Sequence, residues 1–158
     1  MIRFGIGYDV HKLAADRKLI LGGVEIEHKL GLEAHSDGDV LIHAIIDALL
    51  GAATLGDIGQ HFPATAEFKD ISSVELLKRI LPLVAAKGYS IGNVDSIIVA
   101  QKPKLAPYVL PMRERLAEIM QIDVDAVSVK AKTEEGLGFT GTEQGISAYA
   151  VAGIIRNA

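Results

Sequence analysis

The stretch His35-Ser36-Asp37-Gly38-Asp39-Val40-Leu41-Ile42-His43 decides the fold, because it sets four ionisable side chains at the start of an apolar helix. The pattern predicts a helix from Val40 to about Ala53, with Asp39 as the N-cap whose carboxylate accepts from the free amides of the first turn. The helix is apolar almost all round, so it should be buried. Its polar interior residues, His43 and Asp47, are four apart and therefore share one face.

Possible partners for His43 lie near the start of the chain. Ile2 to about Val10 is predicted to form a strand that ends near His11, and residues two apart in a strand point the same way. Asp9 and His11 should therefore aim at one spot. With His43 they would supply three ligands of the kind that a catalytic zinc uses, leaving its fourth position open. From spacing alone, a buried polar cluster without metal remains the alternative.

Composition limits the functional classes. The chain has 158 residues, of which 49% are hydrophobic and 23% charged, as expected for one globular domain. The net charge of −4 and the lack of a basic run argue against nucleic acid as a partner. Cysteine is absent, which excludes a disulfide framework and thiolate metal sites. No apolar run approaches the ~20 residues of a membrane span, and we expect a soluble cytoplasmic protein without a membrane partner.

The remaining elements alternate between strands and helices. Leu19 to Ile26 is predicted as a β-hairpin, Gly56 to Pro63 as an irregular loop, and Ser72 to Glu75 as a capping box. Further predictions are a helix to about Lys87 kinked at Pro82, a strand Val94–Ala100, a helix from Pro107 to about Met120, a strand Val127–Thr133 and a central strand Ile146–Ile155. This order predicts an α/β (α+β) fold: a single domain over residues 1–158, with a mixed sheet, helices packed on it and a small hairpin.

Several short motifs occur in a characteristic order. They are Asp9-Val10-His11, His35-Ser36-Asp37-Gly38-Asp39, His43, Gly56-Asp57-Ile58-Gly59, Phe62-Pro63, Gly92-Asn93-Val94-Asp95, Pro103-Lys104 and Gly138-Phe139-Thr140-Gly141. From about Ile2 to Ile155 the chain resembles the 2-C-methyl-D-erythritol 2,4-cyclodiphosphate synthase family of non-mevalonate isoprenoid biosynthesis. The resemblance implies a homotrimer with active sites between subunits. The implied reaction converts 4-diphosphocytidyl-2-C-methyl-D-erythritol 2-phosphate into the cyclic diphosphate and CMP.

The resemblance also implies roles for individual residues. Zinc, one ion per subunit, would be held by Asp9, His11 and His43, and a second divalent cation, Mg²⁺ or Mn²⁺, would contact Glu135. His35 and Thr133 would stabilise the transition state. The implied substrate contacts are Asp9, Val10, His11, His35, Ser36, Asp57, Ile58, Gly59, Ala100, Pro103, Lys104, Leu105, Ala106, Ala131, Lys132, Thr133, Glu135 and Phe139, with Lys104 near the diphosphate.

Some residues depart from the family pattern. Lys132 adds a cation beside the nucleotide, and Glu134 could compete with Glu135 for metal. Thr142 stands where some relatives carry an arginine that binds an isoprenoid diphosphate on the trimer axis, so we expect weak or absent binding there.

Other polar residues have a structural alternative. Asp37 and Asp39 are interpreted as loop and cap residues, and Asp47 as either a partner of a ligand histidine or a buried polar group. His35 could be a plain loop histidine and Lys104 a solvated charge, while His28 and His61 have no assigned role. Two other functions stay open: a zinc hydrolase acting on a nucleotide diphosphate, and a trimeric binding module with structural zinc.

Overall fold

A computed structural model describes all residues from 1 to 158. Its strands are β1 Ile2–Ala14, β2 Leu19–Leu21, β3 Val24–Ile26, β4 Gly31–Glu33, β5 Tyr89–Val99, β6 Val127–Lys132 and β7 Gly145–Arg156. Its helices are α1 Val40–Ala52, α2 Ile58–His61, α3 Ser73–Ala86, α4 Val109–Met120 and α5 Gly138–Gly141, with single 3-10 turns at Ala66–Phe68, Ala106–Tyr108 and Val124–Ala126.

The sheet has five strands in the order β4-β1-β7-β5-β6. β5 and β6 pair in parallel and the other neighbours pair antiparallel, so the predicted mixed sheet is confirmed. β7 lies at the centre of the sheet, as predicted from the apolar residues on both of its faces. β2 and β3 form the predicted separate hairpin, whose turn residues Gly22 and Gly23 have positive φ angles. No helix combines the length and apolar character that crossing a membrane requires.

Two glycines of β1 let α1 approach the sheet closely. A Cβ on Gly5 would lie 1.9 Å from the Ala48 carbonyl oxygen, and one on Gly7 would lie 1.8 Å from that of Ala44. Any side chain here would force the helix away from the sheet. Gly5, Gly7, Asp9 and His11 share one face of β1, so the approach that packs the core also brings α1 against the predicted ligand residues.

The opposite face of the sheet is exposed and apolar. β1 contributes Ile2, Phe4, Ile6, Tyr8 and Val10, and β7 contributes Tyr149, Val151 and Ile155. Phe4 is 71% exposed and Ile6 is 74% exposed. The core lies on the helical side only, where α1 is buried almost completely. A contiguous apolar face of this kind usually marks an interaction surface.

Some predicted boundaries and elements were wrong. β1 continues to Ala14, so His11 lies within the strand rather than at its end. β5 begins at Tyr89 instead of Val94, because a register shift between Ile91 and Asn93 breaks the alternation there. The predicted loop Gly56–Pro63 contains α2, and β4 and α5 were not predicted. α3, by contrast, contains Pro82 within the helix as predicted.

The start of α3 also differs from the prediction. Ser72 precedes the helix but its side chain makes no capping hydrogen bond, so the predicted capping box does not form. Instead, the Asp37 carboxylate accepts from the backbone amide of Ser73 at 3.0 Å. A residue 36 positions earlier therefore supplies the cap, which local sequence patterns cannot reveal.

Candidate metal centre

β1 and α1 bring three ligand-type side chains together. Asp9 Oδ2 lies 2.9 Å from His11 Nε2 and 2.9 Å from His43 Nδ1. The two imidazole nitrogens are 3.0 Å apart, and the rings meet edge to face. The predicted convergence of these residues on one point is confirmed.

The two histidines of the cluster lower the pKa of the Asp9 carboxyl group. Burial alone would raise the pKa of Asp9, but hydrogen bonds from His11 and His43 outweigh burial and hold that pKa well below its usual range. Asp9 is therefore an anionic ligand at neutral pH. A carboxylate and two imidazoles are a ligand set that zinc uses in catalytic sites.

The geometry of the cluster fits a small cation. All its ligand atoms lie within 4.8 Å of one another, and the three named contacts are shorter than the roughly 3.3 Å that separates ligand atoms around tetrahedral zinc. A slight outward movement would therefore accommodate an ion. No further His, Cys, Asp or Glu belongs to the group, so one coordination position is left for another molecule.

The far nitrogen of His43 contacts two buried hydroxyl groups. Its Nε2 lies 2.8 Å from Ser73 Oγ and 3.1 Å from Ser36 Oγ. Ser36 also accepts from the Gly38 amide at 3.2 Å. The hydroxyls surround His43 on the side away from Asp9, so the imidazole is held from both ends.

The cluster forms part of the wall of a cavity of about 210 Å³. The cavity is also lined by four of the predicted substrate contacts: His35, Ser36, Ile58 and Gly59. His35 Nε2 lies 2.6 Å from the carbonyl oxygen of Thr65, so its ring is oriented by the loop that follows α2. The sequence pattern offered no signal for this backbone contact.

Two aspartates organise the approach to α2. Asp47 accepts from the Ile58 amide at 2.7 Å, and Asp57 caps α2 by accepting from the Gln60 amide at 3.0 Å. Burial is the main cause that raises the pKa of Asp47. Asp47 therefore fixes the backbone beside the cavity and makes no hydrogen bond to a ligand histidine.

Asp39 is confirmed as the N-cap of α1. Its carboxylate accepts from Ile42 at 3.0 Å and from the hairpin amides of Gly22 at 2.9 Å and Gly23 at 2.7 Å. Burial and the nearby Asp37 carboxylate raise the pKa of Asp39 to about 6, against the effect of the three amide donors. Asp39 ties the hairpin to α1 and does not reach the cavity.

A second cavity, of about 330 Å³, contains most of the predicted nucleotide contacts. It is lined by Ala100–Ala106 and Ala131–Thr133 and shares no residue with the cavity beside Asp9, His11 and His43. Lys104 is exposed there and makes no hydrogen bond or ion pair within the chain. The structure groups these predicted residues but does not join them to the cluster.

Glu135 lies apart from the metal cluster within one chain. It is exposed, has a φ of +54°, and its carboxylate is 3.4 Å from Thr133 Oγ1. Glu134 instead accepts a hydrogen bond from Thr140 Oγ1, which anchors α5. Glu134 is thereby engaged in structure, while Glu135 remains free to contact a ligand.

The other predicted and unassigned residues have these positions. Val10 is exposed on the sheet face opposite the cluster, and Phe139 is exposed and lines neither cavity. His61 Nε2 lies 2.8 Å from the Leu55 carbonyl oxygen, which is a structural contact. His28 lies outside both cavities.

Comparison with known proteins identifies the relatives of this chain. The YgbB family model matches residues 2–155. The 2-C-methyl-D-erythritol 2,4-cyclodiphosphate synthase of Clostridioides difficile (strain 630) is 56% identical over 151 residues, covering 95% of this chain and 94% of that protein. The synthase of Alkaliphilus oremlandii (strain OhILAs) is 58% identical over 156 residues, covering 98% of this chain and 99% of that protein.

Solved structures agree with this result. The bifunctional IspDF of Campylobacter jejuni superposes with a TM-score of 0.95 at 41% identity, covering 99% of this chain and 42% of that longer chain. A CDP complex of IspF from Plasmodium falciparum superposes with a TM-score of 0.88 at 36% identity, covering 99% of this chain and 97% of that chain.

Proposed function

This chain belongs to the YgbB family, and we propose that it catalyses the reaction of its curated relatives, the 2-C-methyl-D-erythritol 2,4-cyclodiphosphate synthases. It converts 4-diphosphocytidyl-2-C-methyl-D-erythritol 2-phosphate into 2-C-methyl-D-erythritol 2,4-cyclodiphosphate and CMP. The observation that carries this proposal is the convergence of Asp9, His11 and His43 in the wall of a cavity beside His35. The reaction is a phosphorus-oxygen lyase step in isoprenoid precursor biosynthesis.

The reaction requires positioning rather than a protein nucleophile. The 2-phosphate oxygen attacks the β-phosphorus of the same molecule, the bond to the α-phosphate bridging oxygen breaks, and CMP leaves. Because nucleophile and electrophile belong to one molecule, the protein contributes mainly by folding the substrate into an in-line pose. This agrees with a cavity in which Asp47 fixes the backbone amide of Ile58, and with a chain that has no cysteine nucleophile.

The negative charges of the two reacting phosphate groups must be offset before these groups can approach each other. Bound divalent cations would polarise phosphate oxygens and offset their repulsion. His35, whose ring is oriented by the Thr65 carbonyl oxygen, lines the cavity and would lie beside a bound phosphate group, and Thr133 would assist from the second cavity. The free ammonium group of Lys104 would stabilise the departing phosphate.

We assign zinc to Asp9, His11 and His43, one ion per subunit, because two imidazoles and one carboxylate favour zinc over oxygen-preferring cations. A second cation, Mg²⁺ or Mn²⁺, would contact Glu135, since magnesium is usually held by one or two carboxylates together with substrate phosphates. The exposed Glu135 suits that role because its only side-chain contact, with Thr133, is 3.4 Å long.

The active protein is proposed to be a homotrimer with each site between two subunits. The metal cavity and the nucleotide cavity have no common residue, and the apolar sheet face offers a surface for association. The CDP complex of the Plasmodium relative supports a cytidine diphosphate substrate. A cytoplasmic location stays a prediction.

Phosphorus NMR of the product tests the reaction. Purified protein with zinc, magnesium and substrate should give cyclic diphosphate and CMP, and removal of metal by a chelator should stop the reaction. The measurement should be repeated in water labelled with heavy oxygen, because cyclisation incorporates none. A linear phosphate carrying the label would show a zinc hydrolase instead and would overturn the proposal.

A further inference from the structure

We propose that Ser73 and Asp37 form a hydrogen-bonded relay that orients His43 for metal binding, with Ser73 as a positioning residue. The proposal rests on the metal site assigned under the proposed function. It concerns residues that no family motif singled out as a ligand or a substrate contact. Ser73 is the first residue of α3, so the relay joins that helix to the metal ligand on α1.

The relay is a continuous set of short contacts. His43 Nε2 lies 2.8 Å from Ser73 Oγ, and the same hydroxyl donates a hydrogen bond to Asp37 Oδ1. Asp37 is held in turn by backbone donors: the amide of Ser73 at 3.0 Å and the amide of Asp39 at 3.1 Å. Each member therefore has its position set by a neighbour.

The protons in this relay can be placed by elimination. When Nδ1 of a neutral imidazole binds a metal, its Nε2 must carry the proton and act as donor. A carboxylate of Asp37 that accepts from two backbone amides is an acceptor only. With a metal on Nδ1 of His43, the Ser73 hydroxyl must therefore donate to Asp37 and accept from His43 Nε2.

Ser36 is the competing partner for the same nitrogen. Its hydroxyl is 3.1 Å from His43 Nε2, a longer distance than that of Ser73, and it already accepts from the Gly38 amide. Ser36 makes no hydrogen bond to a carboxylate, so its hydroxyl is not polarised as that of Ser73 is. Ser73 is accordingly the dominant acceptor.

Burial makes the relay hard to replace. Ser73 is 0% exposed and His43 is 7% exposed, so loss of the hydroxyl would leave the imidazole donor facing a buried gap. Outer partners of this type usually change metal affinity by about 10- to 100-fold when removed. The expected consequence is weaker metal binding without disruption of the helix cap.

The Ser73→Ala variant separates these two effects. Alanine keeps the backbone amide that donates to Asp37, so the cap of α3 survives while the hydroxyl is lost. We expect the zinc dissociation constant, measured by chelator competition on the full chain, to rise about 10- to 100-fold. The visible spectrum of the cobalt-substituted protein should change, and Ser73→Thr should restore most of the affinity.

The matched control is Ser96→Ala, which removes another buried serine hydroxyl, one that donates to the Ser128 carbonyl oxygen away from the metal. Its zinc affinity should equal that of the unmodified protein. An equal loss in both alanine variants, unchanged affinity in folded Ser73→Ala, or a larger loss in Ser36→Ala than in Ser73→Ala would overturn the relay.

If Ser73→Ala does not fold, the Asp37→Asn variant provides the test. It keeps the Ser73 hydroxyl but removes the negative charge, and zinc affinity should fall about tenfold; unchanged affinity would contradict the relay. The relay and the proposed reaction can fail separately. Zinc binding without cyclic product would refute the reaction alone, and product formation with normal zinc affinity in Ser73→Ala would refute the relay alone.

Discussion

The Asp9–His11–His43 cluster and the proposed nucleotide cavity, lined by residues 100–106 and 131–133, differ in how much of their structure one chain supplies. Around the cluster, ligand atoms are 2.9 to 3.0 Å apart and His43 is held by buried hydroxyls. Around the nucleotide cavity, Lys104, Lys132 and Glu135 are exposed and lack strong partners within the chain. The first region is preorganised by packing of α1 on β1, whereas the second presents its charges to a ligand.

This difference has a physical basis. A metal site needs ligand positions fixed to a fraction of an ångström, and helix-on-strand packing can provide that precision. Phosphate recognition depends on cationic side chains, such as lysine, whose position can adjust to the substrate. Exposure to solvent keeps these side chains charged until the substrate binds. If each active site lies between subunits, one chain supplies its rigid half, the cluster of Asp9, His11 and His43. The neighbouring chain supplies its adaptable half, the residues that line the nucleotide cavity.

The largest expected effect comes from preventing assembly. Ile6→Asp places a charge on the exposed apolar sheet face, and burying that charge at an interface is costly. We expect monomers by light scattering, nearly complete loss of activity, and zinc affinity close to that of the unmodified protein. The control Leu110→Asp changes an exposed residue on α4 and should leave assembly intact. A fully active Ile6→Asp monomer would refute a shared site.

Removal of a metal ligand should affect the rigid half alone. His43→Ala should lower kcat by more than about 100-fold, because loss of a ligand should exceed the loss of an outer partner. Circular dichroism and light scattering should still report a folded trimer, since the hydrophobic core does not depend on this side chain. His28→Ala, outside both cavities, is the matched histidine control. Unfolded monomers of His43→Ala would instead indicate a structural metal.

A smaller effect is expected in the adaptable half. Lys104→Ala removes a cation that has no partner in the chain, so stability should change little. Steady-state kinetics should show a fall in kcat/KM of about 10- to 100-fold with unchanged zinc affinity. Lys69→Ala, at another exposed lysine, should have no effect. A loss of zinc binding in Lys104→Ala would mean that the two halves are not independent.

The smallest effect on activity concerns the support of α1, where the expected change is one of stability. Burial raises the pKa of Asp39 to about 6, above its value in the unfolded chain. The folded state therefore binds the extra proton more tightly, and the free energy of unfolding should fall as pH rises from about 4 to about 6, by up to about 3 kcal/mol. Denaturant titrations of metal-free protein should show this slope.

The matched variant for that titration is Asp39→Asn, which should reduce the slope in the free energy of unfolding and leave the smaller part that Asp47 contributes. A slope of the opposite sign in the unmodified protein would show that the three amide donors outweigh burial at this carboxylate.

The sequence predicted the separate elements of the rigid half because their patterns are local, whereas the meeting of His43 with Asp9, 34 positions earlier, was predicted through the resemblance. Strand periodicity placed Asp9 and His11 on one face, helix periodicity placed His43 on a buried face, and Asp39 was the expected cap. It did not reveal the contact between Asp37 and Ser73, because that contact joins distant segments. For the nucleotide half, resemblance was the only source of the predicted roles.

Other errors have equally specific causes. Gly92 and Asn93 interrupt the apolar alternation of β5, so the strand seemed to begin at Val94. α2 contains two residues with weak helix preference, Ile58 and Gly59, and depends on the carboxylates of Asp47 and Asp57 for its backbone hydrogen bonds. Contacts outside each element contribute to both features: pairing with β7 extends β5, and Asp47 holds the first amide of α2.

Complementation between two impaired variants tests the shared site most directly. His43→Ala and Lys104→Ala subunits, coexpressed with different tags in equal amounts, should form mixed trimers. In mixed trimers isolated through both tags, about a third of the sites combine an intact metal half with an intact nucleotide half from the neighbour. We predict that the activity of these mixed trimers recovers to about a third of the unmodified level. Mixed trimers no more active than the average of the two parents would contradict the account.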